Sequence, residues 1–403
     1  MKTFYNLPKS VEFCENCVLS NQVPSSVPEF LHKPNREGAK YLQLSKDQNG
    51  KYTCSACKVH EMKQNINWEK REKELNKLLN KYRSKKGEYD CIVPGSGGKD
   101  SAYAAHLLKY KYGMHPLTVT WPPILYTDYG YENYKNWVEV GGFDNISVKP
   151  NGKVQKLLTK LSIENLLHPF QTFILGQKNI GARMAAKFRI PLVFYGESDA
   201  EYNNPVSEFT AIRDQKYWLN SNKNKFYLAG TPIKKLIKDH KLDFSDLKNY
   251  LPLDKNELGK TKIKYCYLGY FIKWTPQEAY YYSVENTGFK ARPFRSEGTY
   301  SKYNSIDDKI DDLHYYTSYI KFGIGRASYD ASQEIRNKHI TREEGIKLVS
   351  KFDGELPERY LDDVLNHLGI KKNFFLKLVD KFRSPHLWQK SSNTWILRHK
   401  IFQ

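Results

Sequence analysis

Four of the six cysteines fall as Cys14-x-x-Cys17 and Cys54-x-x-Cys57. Two residues between thiolates let both sulfurs bind one metal ion from a single turn, and two such knuckles complete a tetrahedral site. In a cytosolic chain this pattern reads as structural Zn2+, with two redox pairs or free thiols as the alternative. The 36-residue gap between the knuckles is long for a compact ribbon, so the intervening loop is expected to fold over or stay partly mobile. Cys91 and Cys266 stand alone in apolar surroundings and read as core residues.

The second chemical group is "VPGSGGKDS", Val93–Ser101. Glycines after a buried strand let the backbone approach a ligand closely, and the following helix offers free N–H groups and its positive dipole end. Lys99, Asp100 and two hydroxyls crowd that helix start, a combination suited to phosphate. The spacing is not that of the usual triphosphate loop, which needs four residues between Gly and Gly-Lys-Ser/Thr. Nor is it the dinucleotide fingerprint, because the third glycine is missing.

Further candidates are more ambiguous. Asp128 in "YTDYG" either borders a ligand or makes a turn with Gly130. Glu197 and Asp199 in "YGESDAEY" suit a divalent cation or a helix cap. "GIGRASYDASQEIR" offers Arg326 as a fork for a carboxylate or phosphate, or else a helix start with ion pairs among Arg326, Asp330, Glu334 and Arg336. His314, His339 and His386 are single histidines, and none is assigned to catalysis.

The elements that must position these residues alternate. "YDCIVP", "HPLTVTW", "NISVKP", "IPLVFYGES" and "YCYLGYFIKW" read as strands, and amphipathic or capped helical stretches intervene. Thr275-Pro276-x-Glu278 is a helix start, and "NWEKREKELNKLLNKYRS" is a strong helical pattern. The fold class that follows is α/β, a parallel twisted sheet with helices on both faces. Ligands bind such sheets beyond the carboxyl ends of the strands, where the glycine turn, "TWPPILYTDYG" and "FYGESDAEY" all lie. Three regions are expected: a zinc-knuckle module at 1–63, an α/β domain at 64–300 and a mostly helical region at 301–403. The tail "RSPHLW" with "WILRHK" reads as packed chain.

The 403 residues carry 64 Lys and Arg against 44 Asp and Glu, a formal charge of +20 that favours anionic partners. The basic residues are scattered rather than clustered, so a solvated surface explains them equally well. No window is apolar enough to span a bilayer, and "MKTFYNLPKS" lacks a signal-peptide core, so a cytoplasmic protein without membrane contact is expected.

"SGGKDS" after a strand resembles the PP-loop of the ATP pyrophosphatase superfamily, with its adenine-nucleotide alpha-hydrolase-like fold. That resemblance implies ATP cleavage between the alpha and beta phosphates. It casts Ser96, Gly97, Gly98 and Ser101 as the cradle of the outer phosphates, Lys99 as their neutralising charge and Asp100 as a Mg2+ contact. The Cys knuckles with "SNQ", the loop, "GRASYDASQEIR" and "KFRSPHLW" together resemble the N-acetyl sugar amidotransferases of surface-polysaccharide, nonulosonic-acid and flagellin-sugar synthesis. The implied reaction turns an acetamido sugar into an acetamidino sugar. Lys99, Asp100 and Arg326 are the catalytic candidates, and Asp128 and Glu197 join the loop in binding. A glutaminase complex similar to the histidine-biosynthesis amidotransferase pair would supply ammonia. A tRNA-modifying PP-loop enzyme and a non-catalytic nucleotide-binding scaffold are the competing readings; a nucleic-acid partner is not the expectation.

Overall fold

Short apolar runs bounded by glycine and proline form the central sheet. Our computed structural model describes residues 1–26, 28–392 and 394–401. Five strands, β1 (Cys91–Pro94), β2 (Pro116–Thr120), β3 (Asn145–Ser147), β4 (Leu192–Tyr195) and β5 (Lys264–Tyr267), make one parallel sheet in the order β3-β2-β1-β4-β5. Register is set by pairs such as Cys91↔Pro116 and Leu192↔Lys264. The order reverses between β1 and β4, and a crevice opens at that switch point beyond the strand ends.

Strand alternation gives the sheet two buried faces. Cys91, Val93, Leu192, Phe194 and Cys266 face one apolar cluster, whereas Ile92, Val193 and Tyr265 face another. Helices α2 (Trp68–Tyr82), α3 (Lys99–His106) and α7 (Pro276–Thr287) lie on the first side. On the second lie α5 (Gly152–Leu166) and α6 (Gln171–Phe188). Thr275 caps α7 by accepting from the Glu278 N–H at 3.3 Å, with Pro276 in the first turn as expected. Asn67 caps α2 in the same way, accepting from the Lys70 N–H.

Three local expectations change. The stretch "YCYLGYFIKW" is strand only to Tyr267, because the Gly269 N–H turns to the Gly196 carbonyl at 2.7 Å and the chain coils into a 3-10 turn. The helix after the glycine loop widens into a π turn over Leu107–Lys111 before Gly113. Helix α5, absent from the sequence reading, starts from an Asn151 cap that serves two N–H groups.

The cysteine module packs α1 (Ser55–Gln64) against a short hairpin, Leu44–Lys46 with Tyr52–Cys54. The loop between the knuckles folds over the molecule rather than hanging free. Ser25 and Asn203 exchange hydrogen bonds with the facing backbone, at 2.9 Å to Asn203 O and 2.7 Å to Pro24 O. The C-terminal region contributes α8 (Asp311–Phe322), α9 (Arg326–Arg336), α10 (Arg342–Phe352), α11 (Glu358–Leu368) and α12 (Lys372–Lys381). An antiparallel hairpin, Trp388–Ser391 with Thr394–Leu397, follows them. "SPHLW" packs onto "SNQ": His386 lies between Ser384 Oγ (2.7 Å) and Gln22 Oε1 (3.1 Å), a structural histidine.

Candidate functional site

The glycine turn Gly95–Gly98 leaves β1 at the switch point and runs into the N-terminus of α3. Gly97 has φ +87°, and a Cβ there would meet Tyr134 Cα at 2.7 Å, so only glycine fits the turn. A Cβ on Gly95 would lie 2.2 Å from Ser101 Cβ, which seats the turn on its own helix. Gly98 occupies the N-cap without a capping side chain, so the first N–H groups of α3 point into the crevice.

Two cavities meet at this turn and share Ser96, Gly98, Asp100 and Glu197 in their walls. The smaller, about 380 Å³, runs over the strand ends between Val119, Trp121, Ile174 and Tyr195, with buried Arg213 at its edge. The larger, about 530 Å³, is polar and reaches under the folded-over loop of the cysteine module and the start of the helical region.

Around the turn the charges are close. Buried Lys99 places Nζ 2.6 Å from Asp100 Oδ2, while Asp100 Oδ1 has no hydrogen-bond partner among the described residues. Ser101 Oγ donates to the Gly98 carbonyl at 3.0 Å, and the Lys99 carbonyl accepts from Ser283 Oγ on α7 at 2.9 Å. Glu197 stands on the opposite lip, after β4, its carboxyl lifted to about 8 by burial and by the charge of Asp100. The unpartnered Asp100 oxygen and the nearby Glu197 carboxyl are a donor set suited to a hard divalent cation. Asp199 accepts from Arg213 at 3.3 Å instead.

The structure thus brings Ser96, Gly98, Lys99 and Asp100 to one lip and Glu197 to the facing one, with Gly97 shaping the bend. Arg326 lines the larger cavity, but its guanidinium is already engaged, 3.0 Å from Asp330 and hydrogen-bonded to the Tyr315 hydroxyl. Asp128 is exposed at the first turn of α4 (Asp128–Glu139), outside both cavity walls. Thr127, not Asp128, caps that helix through the Gly130 N–H at 2.9 Å, and the carboxylate turns outward. The residue facing the cavity there is Asp307, whose backbone would meet a Cβ on Gly130 at 2.4 Å.

Sequence reasoning missed one wall of the larger cavity. Glu29, His32, Arg36, His168 and Lys321 converge there, and His314 stacks on His168 with ring centroids 5.0 Å apart. Burial holds the three imidazoles neutral, His314 pushed down to about 4. No short-range spacing signals this wall, because its members come from the cysteine-module loop, the end of α5 and α8.

All four cysteines of the knuckles are buried, and their sulfurs lie within 4.8 Å of one another. Sulfurs of Cys14 and Cys57, and of Cys17 and Cys54, are 3.8 Å apart. A tetrahedron with metal–sulfur bonds of about 2.3 Å has edges of about 3.8 Å, so the group fits structural zinc. The Cys57 N–H points at Cys54 Sγ (3.4 Å), and Arg342 braces both ends of the first knuckle through the carbonyls of Cys17 (3.1 Å) and Cys14 (3.3 Å).

Fold and site together define a doubly wound α/β protein with a glycine turn at its switch point and an appended cysteine cluster. Residues 297–401 match the family model described as "LPS biosynthesis protein WbpG-like, C-terminal domain". Over 70 residues the chain is 41% identical to "Uncharacterized protein MJ1599" of Methanocaldococcus jannaschii; that stretch is 17% of this chain and 25% of the relative. The chain therefore spans about a quarter of the length of the curated relative that it matches. Among the described residues no helix is long and apolar enough to cross a membrane.

Proposed function

We propose that the chain is the synthetase subunit of an ATP-dependent amidotransferase acting on an acetamido sugar in polysaccharide biosynthesis. The observation that carries this reading is the glycine turn Ser96–Ser101, a PP-loop by resemblance, set between a cavity with apolar and aromatic walls and a larger polar one. The match of residues 297–401 to a lipopolysaccharide-biosynthesis domain supports the sugar assignment.

In this reading the smaller cavity takes adenosine against Trp121 and Tyr195, and the free N–H groups of α3, Ser96, Ser101 and Lys99 hold the outer phosphates. Asp100 and Glu197 hold Mg2+, which offsets the charge of the pyrophosphate leaving group. The larger cavity takes the sugar. Its acetamido oxygen bonds to the alpha phosphorus while the bond to pyrophosphate breaks. Ammonia then adds to the imidate carbon, the C–O bond to AMP breaks and a proton leaves, giving amidine, AMP and pyrophosphate. The ammonia comes from a separate glutaminase: Cys91 and Cys266 are fully buried, and burial pushes the Cys266 thiol up to about 12. The same burial speaks against tRNA thiolation, which needs a reactive thiol at the cleft.

The test incubates the full chain with ATP, Mg2+, ammonium salts and a panel of acetamido sugars. AMP, pyrophosphate and a product about one dalton lighter than the sugar are expected, the difference between O and NH. Lys99→Ala and Asp100→Ala each lower pyrophosphate release by on the order of 10²-fold or more, with the circular dichroism unchanged. ADP as the spent nucleotide, or full turnover in either variant, overturns the reading.

A further inference from the structure

We infer that Glu29, His32 and His168 form a second metal site, separate from the cysteine cluster, that takes a divalent first-row transition ion at the wall of the larger cavity. One carboxylate oxygen and two imidazole nitrogens come within 4.8 Å of one another. Glu29 Oε2 lies 2.7 Å from His32 Nδ1 and 4.0 Å from His168 Nε2. A tetrahedral ion with N and O ligands needs about 3.3–3.5 Å between ligand atoms, so the set closes when His168 rotates inward and His32 Nδ1 draws back from its close contact with Glu29.

The supports of the three ligands are rigid. Glu29 and His32 share one 3-10 turn, three residues apart. Gln171 fixes that turn, donating from Nε2 to the Glu29 carbonyl at 2.7 Å and accepting the Ala229 N–H at 2.8 Å. His168 follows the left-handed Leu167 that ends α5, and its N–H returns to the Ser162 carbonyl at 3.1 Å.

Polar atoms buried in a fold are ordinarily hydrogen-bonded. Here Glu29 Oε2 is inaccessible, its close contacts among the described residues are the imidazoles of His32 and His168, and Glu29 and His32 are 8% and 6% exposed. Both residues line the cavity, and the carboxylate and the two imidazoles gather their donor atoms at one point of its wall. Two imidazoles with one carboxylate suit a borderline ion such as Zn2+ or Fe2+ rather than Mg2+. Arg36, Lys178 and Lys321 also act on Glu29, and Lys321 Nζ donates to the Leu166 carbonyl at 2.6 Å. Their charge weakens cation binding, so this ion leaves to a chelator before the one held by four thiolates.

The inference does not depend on the reading of the glycine turn, and its test reads metal rather than turnover. Full-length protein is equilibrated with excess Zn2+, desalted and analysed by mass spectrometry for metal. About two equivalents per chain are expected, one of them removed by dipicolinate. Cys14→Ser and His168→Ala each retain about one. With Co2+ in place of Zn2+, His168→Ala keeps the thiolate-to-cobalt charge-transfer band, which reports a folded chain, and loses only the weaker visible bands. Glu29→Gln, which preserves shape, repeats the test. A single equivalent in the wild type, or two in both His168→Ala and Glu29→Gln, overturns the inference.

Discussion

Lys63 of α1 reaches across from the cysteine module to Glu201, Nζ to Oε2 at 2.5 Å, with both side chains 8% exposed. Lys63 also donates to the Trp274 carbonyl at 3.2 Å, and Arg336 of α9 donates to the Glu201 carbonyl at 3.3 Å. This buried pair therefore ties the cysteine module to the turn after β4 that carries Glu197 and Asp199. Removing one partner leaves the other charge buried and alone. Lys63→Met or Glu201→Gln should each cost about 3–5 kcal/mol by urea unfolding, and the double variant should recover more than half of the summed loss. Additive losses in the double-mutant cycle would contradict the coupling.

Glu197 makes stability depend on pH. Its folded-state carboxyl titrates near 8 against an ordinary 4.5, so the folded chain holds that proton more tightly than the unfolded chain does. The resulting stabilisation is complete below the ordinary value and is lost as pH rises through about 8. Glu197→Gln should leave the ligand-free melting temperature unchanged near pH 4 and raise it by roughly a few degrees at pH 9. A melting difference that is flat from pH 4 to pH 9 would refute this.

The N-terminus of α9 is capped from a distance. Asp353, beyond α10, accepts from the Gly325 N–H (3.0 Å), the Ser328 N–H (3.2 Å) and Ser328 Oγ (2.5 Å). Asp353→Ala should destabilise by about 1–2 kcal/mol. Asp353→Asn should restore part of the loss, since its carbonyl can still accept. Denaturant midpoints at constant slope measure both.

The cysteine cluster should bind its metal as part of folding. Cys14→Ser should lose one equivalent of zinc and lower the melting temperature by roughly 5 °C or more, without changing the affinity for ATP. Metal analysis and calorimetry check the first two, nucleotide titration the third. An unchanged metal content would show that the four thiols are simply packed.

Legibility followed distance along the chain. The turn between β1 and α3, the Thr275 cap and the two Cys-x-x-Cys knuckles were readable because each depends on residues within one turn of one another, and backbone geometry fixes their relation. The alternation of apolar runs and amphipathic stretches determined a parallel α/β sheet for a similar reason, since strand and helix periods are local. Tertiary structure alone decided which carboxylates face the crevice. The sequence offers Asp128 either to a ligand or to a turn, whereas in the fold Thr127 takes the helix cap, Asp128 turns outward and Asp307 arrives from another segment. It also brought Glu29 and His32 to His168, and Asp353 to Gly325. Those meetings join segments far apart in sequence, and they are fixed by packing between elements, which no short window of residues encodes.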